Sequence, residues 1–212
     1  MRRKVLIIGA TGTIGSAISA EIEGDYEIIQ ASRSCDEAVD ISDHASVEQL
    51  FNRIKSTHSQ VDGIIVVAGG GMVSKIDDMD LDAFLPTLAA KLRGQVAVVK
   101  YGRRIVRSGG AIILTGGTLA NTPMHDMSHL SIINAAIHAF VRSAELESES
   151  VRICAVSPAL VAESPEAILE LFEGMPKVNA AKVATTYRYT LEHGKSGTTY
   201  DACDATELEL QR

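Results

Sequence analysis

KVLIIGATGTIGSAISAEI, residues 4–22, passes from one kind of periodicity to another within a few residues, and the rest of the chain is read outward from that change. Val5-Leu6-Ile7-Ile8 is an unbroken apolar run, as a parallel strand buried on both faces requires. Gly9, Gly12 and Gly15 follow at three-residue spacing, and Ile14, Ala17, Ile18 and Ile22 then recur at helical spacing. The glycines therefore sit in a strand-to-helix turn. Such a turn lets the backbone approach a pyrophosphate, and the free amides and positive end of the new helix receive its charge. A plain tight turn has the same glycine spacing, but the strand before it and the helix after it favour a dinucleotide. Gly9, Thr11, Gly12, Thr13, Ile14 and Gly15 are the candidate contacts in this loop.

Composition narrows the classes. A chain of 212 residues, 46% hydrophobic, is expected to form one domain, residues 1–212, with a sizeable core. The formal charge is −7 and no basic run occurs, so nucleic-acid binding has no electrostatic support. Cys35, Cys154 and Cys203 form no CxxC pair. They read as reduced thiols, with neither a disulfide framework nor a metal site expected. The apolar part of MRRKVLIIGA is too short for a signal peptide and is already a strand; no later stretch reaches the ~20 apolar residues of a membrane span. A soluble, cytoplasmic protein with no membrane partner is expected.

Strand and helix alternate along the chain. Tyr26–Ala31 reads as a second strand ending at Ser32-Arg33-Ser34. An acidic residue at this place usually meets a free ribose 2′-hydroxyl. Here Ser32 offers a hydrogen bond and Arg33 a charge-assisted contact to phosphate, so NADP(H) is expected over NAD(H). The other reading is a solvated Arg33, with Asp36 or Asp40 on the ribose. Asp40-Ile41 closes a brief third strand, and Val47, Leu50, Phe51 and Ile54 stripe a helix. Asp62–Val67 is a fourth strand running into Ala68-Gly69-Gly70-Gly71, at the strand end where open α/β sheets bind ligands. Leu81–Arg107 reads as a long helix with Leu85, Leu88, Leu92, Val96 and Val99 as its stripe. Further strands follow at Ala111–Thr115, Val151–Val156 and Gly197–Asp201. Helices are expected at Met127–Glu149, Pro165–Glu173 and Ala180–His193. The pattern is that of a doubly wound α/β (Rossmann) domain.

Six segments in register, GATGTIG (9–15), ASRS (31–34), VDISD (39–43), VVAGG (66–70), GGAIILTGG (109–117) and VRICAVSPALVAES (151–164), resemble the short-chain dehydrogenase/reductase family over nearly the whole chain. The resemblance implies a seven-stranded parallel sheet with helices on both faces, binding a nicotinamide dinucleotide. It places Asp40 and Ile41 beside the adenine, Ala68, Gly69 and Gly70 along the ribose, and Pro158, Leu160 and Val161 over the nicotinamide. It also implies a homodimer or homotetramer built on the two long helices. Active members of that family use a serine after the fifth strand, a Tyr-x-x-x-Lys pair on the next helix, and an asparagine on the preceding one. Carried over by position, those places hold Gly117, Leu130, Asn134 and Lys91. All four residue types differ. A leucine has no proton to give, and a neutral amide does not lower a neighbour's pKa as an ammonium does.

Thr115 and Thr118 bracket the serine position, and His125, Asp126 and His129 lie at or before the helix start. Thr118, His129, Lys91 and Asn134 are the candidate catalytic residues. Asn134 suits a ribose hydroxyl better than proton transfer, and His138 reads as a packing or interface residue. Leu171, Phe172 and Met175 offer a small apolar wall for a small-molecule substrate. Two readings stand: an NADP(H)-dependent oxidoreductase of a small carbonyl or alcohol with an atypical site, or a nucleotide-binding sensor or scaffold without hydride chemistry.

Overall fold

A computed structural model describes residues 2–203. The elements in chain order are β1 (Arg3–Ile8), α1 (Thr13–Ile22), β2 (Tyr26–Ser32), β3 (Glu37–Ala38), α2 (His44–His58), β4 (Val61–Val66), α3 (Leu81–Gly102) and β5 (Val106–Thr115). A single 3-10 turn (Thr118–Ala120) leads to α4 (Ser128–Glu145), β6 (Arg152–Pro158), β7 (Leu160–Val161), α5 (Glu166–Leu171), β8 (Lys177–Val178), α6 (Ala180–His193) and β9 (Thr199–Ala202).

The main sheet has seven strands in the order β3-β2-β1-β4-β5-β6-β9. Every pairing in it is parallel. Alternation along each strand sends side chains to two apolar layers. Leu6, Ile8, Ile112, Leu114, Ile153 and Ala155 pack with α2, α3 and α4 on one face. Val5, Ile7, Ala111, Ile113 and Val156 pack with α1 and α6 on the other. The chain goes outward from β1 to β2 and β3, then returns to β4 on the opposite side. The strand order therefore reverses between β1 and β4, which opens a crevice above their carboxyl ends.

Several expected boundaries move. The helix expected over Leu81–Arg107 ends at Gly102, and Arg107 belongs to β5. A Cβ on Gly102 would lie 2.7 Å from Ile64 Cδ1 and 3.2 Å from Phe51, so the helix meets the sheet closely there. The buried face of α3 is Lys91, Gly94, Gln95, Ala97, Val98 and Val99, whereas Leu85 is 65% exposed. Leu88 and Leu92 of the expected stripe pack against the core and Val99 is buried in it, but Leu85 turns outward and the inner face also carries a lysine and a glutamine. The third strand is Glu37–Ala38, before Asp40-Ile41, and the two-residue pair β7–β8 forms a separate small sheet. No helix among the described residues is long and apolar enough to cross a membrane.

Candidate functional site

The loop after β1 is held by its own backbone. Gly9 donates to Ala31 O at 2.8 Å and adopts φ +91°, a conformation that favours glycine. Gly12 donates to Gly9 O at 3.1 Å and stands as the N-cap of α1 with no side-chain cap. The first amides of α1, at Thr13, Ile14 and Gly15, thus keep their donors for a ligand. Gly15 lies against the loop itself, where a Cβ would be 2.8 Å from Ala10 Cα and 2.9 Å from Gly9 C. This is a cradle that side chains would fill.

A cavity of about 700 Å³ opens over that cradle. Gly9, Thr11, Gly12, Ser32, Arg33, Asp40, Ile41, Ala68, Gly69, Gly70 and Lys91 all line it, brought from four strand ends and α3. Ser32 closes β2, and its Oγ accepts the Ser34 amide at 3.1 Å and donates to Cys35 Sγ at 3.1 Å. Arg33 is exposed on the rim. The Asp40 carboxylate accepts the Ser42 hydroxyl at 2.7 Å and the Ser42 amide at 2.9 Å. Those two hydrogen bonds hold it below the usual carboxylate range. Asp40 is therefore already engaged within its own loop. Ser34, Val39 and Ser42, from the ASRS and VDISD segments, also line the cavity, as does Ala90, which carried no sequence signal.

Lys91 forms the cavity floor. It is 7% exposed, and its ammonium donates to Asn134 Oδ1 at 3.2 Å and to Gly116 O at 3.3 Å. Burial pulls its pKa down to about 8. Two glycines make room for the pair. A Cβ on Gly69 would lie 2.8 Å from Lys91 Cγ, and one on Gly117 would lie 2.5 Å from Asn134 Nδ2. Lys91, Asn134, Gly69 and Gly117 are one packed unit, although they are far apart in sequence. Gln95, one turn further along α3, exchanges two hydrogen bonds with the Thr115 backbone at 2.9 and 3.0 Å and fixes the end of β5.

The remaining candidates lie apart from this floor. His129 is 1% exposed; its Nδ1 accepts the Met72 amide at 3.1 Å, so its Nε2 carries the proton and donates to Phe84 O at 3.1 Å. Phe84 also stands edge-on to the ring at 4.9 Å. With both nitrogens committed to backbone, His129 is a fastener between α3, α4 and the loop after β4, and it has no free nitrogen for a substrate. Thr115 Oγ1 bonds Val66 O and the Tyr187 hydroxyl on the α6 face, and is equally committed. Leu130 meets the glycine run: a Cβ on Gly71 would lie 3.0 Å from Leu130 Cγ.

Thr118 is different. Its Oγ1 is buried without a partner, and it lines a second cavity of about 490 Å³ with Asn121, Met124, Met175, Lys177 and Asp201. Pro158, Leu160 and Val161 line neither cavity. Leu160 and Val161 are 7% and 4% exposed within the small sheet, and Ala159 between them and Pro158 is the residue that reaches the second cavity. His138, expected at packing or an interface, is 5% exposed, and its Nε2 lacks a partner beneath Gly116. Asp201 and His138 are site-adjacent groups that no motif announced.

The comparisons with known proteins agree with this geometry. A family model described as "Enoyl-(Acyl carrier protein) reductase" matches residues 17–193. Protein lin1944 from Listeria innocua has the same fold with a TM-score of 0.87 and 31% identity, over 94% of this chain and 98% of that one. A small-chain dehydrogenase solved in complex with NADPH superposes with a TM-score of 0.84 and 26% identity, over 96% and 97% of the two chains. Among curated proteins, oxidoreductase asL5 of Sarocladium schorii is 25% identical over 126 residues, 58% of this chain. The chain spans about half of that relative's own length, 51%. Taken with the parallel seven-stranded sheet and the cavity above its switch point, the match over residues 17–193 means that the chain belongs to the short-chain dehydrogenase/reductase family of oxidoreductases.

Proposed function

We propose that the protein is an NADP(H)-dependent oxidoreductase acting on a small carbonyl or alcohol, with an atypical active site. The observation that carries this reading is the first cavity, in which an uncapped helix N-terminus, a Ser32-Arg33-Ser34 strand end and a buried lysine face one space. The residues present fit a dinucleotide because the Gly9–Gly15 cradle leaves backbone amides free where side chains would fill the space. In this reading those amides receive the pyrophosphate, and Ser32 and Arg33 receive the 2′-phosphate. When bound, the cofactor supplies or accepts a hydride. The chain's own part is to orient both partners, with Thr118 on the wall of the second cavity as the candidate contact to the substrate oxygen. We also read residues 1–212 as one domain, cytoplasmic, with a small-molecule substrate, no nucleic-acid partner, and a homodimer or homotetramer as its working form.

A second reading keeps the cofactor and drops the chemistry, making the protein a sensor or scaffold. It draws support from Leu130 packed against Gly71 and from His129 committed at both nitrogens, so neither supplies an acid at the helix start. The cofactor preference is tested with Arg33→Ala. Losing a charge-assisted contact of about 1.5–3 kcal/mol should weaken NADPH binding by roughly 10- to 100-fold and leave NADH within about threefold. Equal weakening of the two, or none, rejects the NADP(H) preference. Turnover across a carbonyl panel with the bound cofactor then separates enzyme from sensor.

A further inference from the structure

Lys91 is a buried cation with no anion beside it. Both of its acceptors, Asn134 Oδ1 and Gly116 O, are neutral, and no ion pair is formed by Lys91 among the described residues. An ammonium has three donors, so one is left without a protein acceptor, on a side chain that lines the first cavity. The ionisable groups around it do not neutralise it. His138 on α4 lies behind Gly116, with its own pKa lowered by burial and by Arg142 and Lys91, a shift that the Asp201 carboxylate on β9 opposes. Arg33 and Asp40 line the same cavity, and the Asp40 carboxylate is held by Ser42. The site keeps this arrangement by steric fit, since Gly69 and Gly117 leave only enough room for the Lys91 stem and the Asn134 amide.

Resting on the reading that this cavity takes NADP(H), we propose that Lys91 is a proton-linked cofactor-binding residue: the dinucleotide prefers the protein with Lys91 charged, because an oxygen of the dinucleotide accepts the third ammonium hydrogen bond. Asn134 is then a positioning residue that aims the ammonium. The direction follows from the hydrogen bond. An acceptor on the charged form raises the pKa of Lys91 in the complex above its value of about 8 in the free protein. Between the two values, binding takes up a proton. Affinity is full below the free-protein value and falls by up to about tenfold per pH step above it, until the value in the complex is passed.

The test needs no substrate. NADPH binding to the full chain is followed by fluorescence from about pH 6.5 to 9.5, and by calorimetry near pH 8.5 in two buffers of different ionisation heat, which reports protons taken up. Wild type should show uptake of a substantial fraction of a proton and a break in affinity near the Lys91 value. Lys91→Met should bind about tenfold or more weakly, with no break and no uptake. Asn134→Asp, which keeps Lys91 and gives it a carboxylate, should move the break upward by one pH step or more. His138→Gln should keep the uptake, because burial lowers His138 from the ordinary imidazole value, away from this range. NADPH binding by wild type without uptake, or a Lys91→Met protein that retains affinity and uptake, overturns the proposal while leaving the cofactor reading intact. Absence of NADPH binding at every pH overturns both.

Discussion

Gly15→Ala and Gly12→Ala separate what the glycine loop does for the fold from what it does for a ligand. At Gly15 a methyl group would lie 2.8 Å from Ala10 Cα and 2.9 Å from Gly9 C, both backbone atoms that no rotamer change moves. Ordinary contact begins near 3.4 Å, so α1 must retreat by about half an ångström or more from β1. α1 packs Ile18 and Ile22 into the second apolar layer, so the retreat is felt in the core. Overpacking of this kind costs about 1–3 kcal/mol. For a chain of this size each kcal/mol lowers Tm by about 2–4 °C, giving an expected drop of about 2–12 °C. At Gly12 the same methyl group would lie 3.5 Å from Gly9 O, an ordinary contact, and it would project at the cavity lining. Gly12→Ala should therefore melt within about 1 °C of wild type while losing NADPH affinity. Thermal melts and NADPH titrations of both variants check this. A Gly15→Ala protein as stable as wild type, or a Gly12→Ala protein equally destabilised, refutes the steric account of the loop.

Three more outcomes are expected. His129→Leu strands the Met72 amide and the Phe84 carbonyl, and should cost about 2 kcal/mol in a denaturant melt. Its NADPH affinity, measured on folded protein, should stay within about threefold of wild type; a selective loss of affinity would return His129 to the site. Lys91 falls from 10.5 to about 8 on folding, so the unfolded chain binds more protons between those values and its burial penalty is fully present below about pH 8. Lys91→Met without cofactor should thus be more stable than wild type at neutral pH by up to about 3 kcal/mol, at 1.4 kcal/mol per tenfold. The gap should close as pH rises toward 10.5, and a constant gap across that window contradicts the buried-cation account. Cys154 is buried, donates to Lys195 O at 3.2 Å and is raised to about 11 by burial. Mass mapping after mild alkylation should find Cys35 modified and Cys154 intact.

How far the sequence disclosed this molecule differs from element to element. Where local pattern and tertiary role coincide, it was legible: α6 runs over Ala180–His193 as its periodicity implies, and Val47, Leu50, Phe51 and Ile54 of α2 are all buried. The glycine loop was legible because only backbone conformation and close approach explain three glycines between a strand and a helix. On α3, pattern and role part company. Its inner face presents Lys91 and Gln95 to the ends of β5 and the cavity, so hydrophobicity found Leu88, Leu92 and Val99, missed the two polar residues and wrongly added Leu85. The end of α3 also falls earlier than its apolar pattern implies, because the chain turns after Gly102, with the Ile105 amide donating to Gly102 O at 2.9 Å.

The candidate site divides along the same line. Residues contributed by strand ends, Gly9, Ser32, Arg33, Asp40, Gly69 and Gly70, meet at one cavity as their places in the sequence imply. Histidines did not follow their chemistry. His129 is a fastener, and His138, read from the sequence as a packing or interface residue, is buried and holds a nitrogen without a partner. The sequence showed four altered positions at 91, 117, 130 and 134 as separate losses. In space, three of them interlock, because the Asn134 amide sits where a side chain at 117 would project and reaches across to Lys91. That dependence crosses 43 residues of chain and has no local pattern to betray it.

Fluorescence titration of the purified wild-type protein with NADPH and NADH at neutral pH tests the central claim most directly. The account predicts saturable NADPH binding at least about tenfold tighter than NADH, the margin of one charge-assisted contact at Arg33. Binding of neither dinucleotide would contradict it, since the cradle, the strand end and the buried lysine would then face a cavity made for something else.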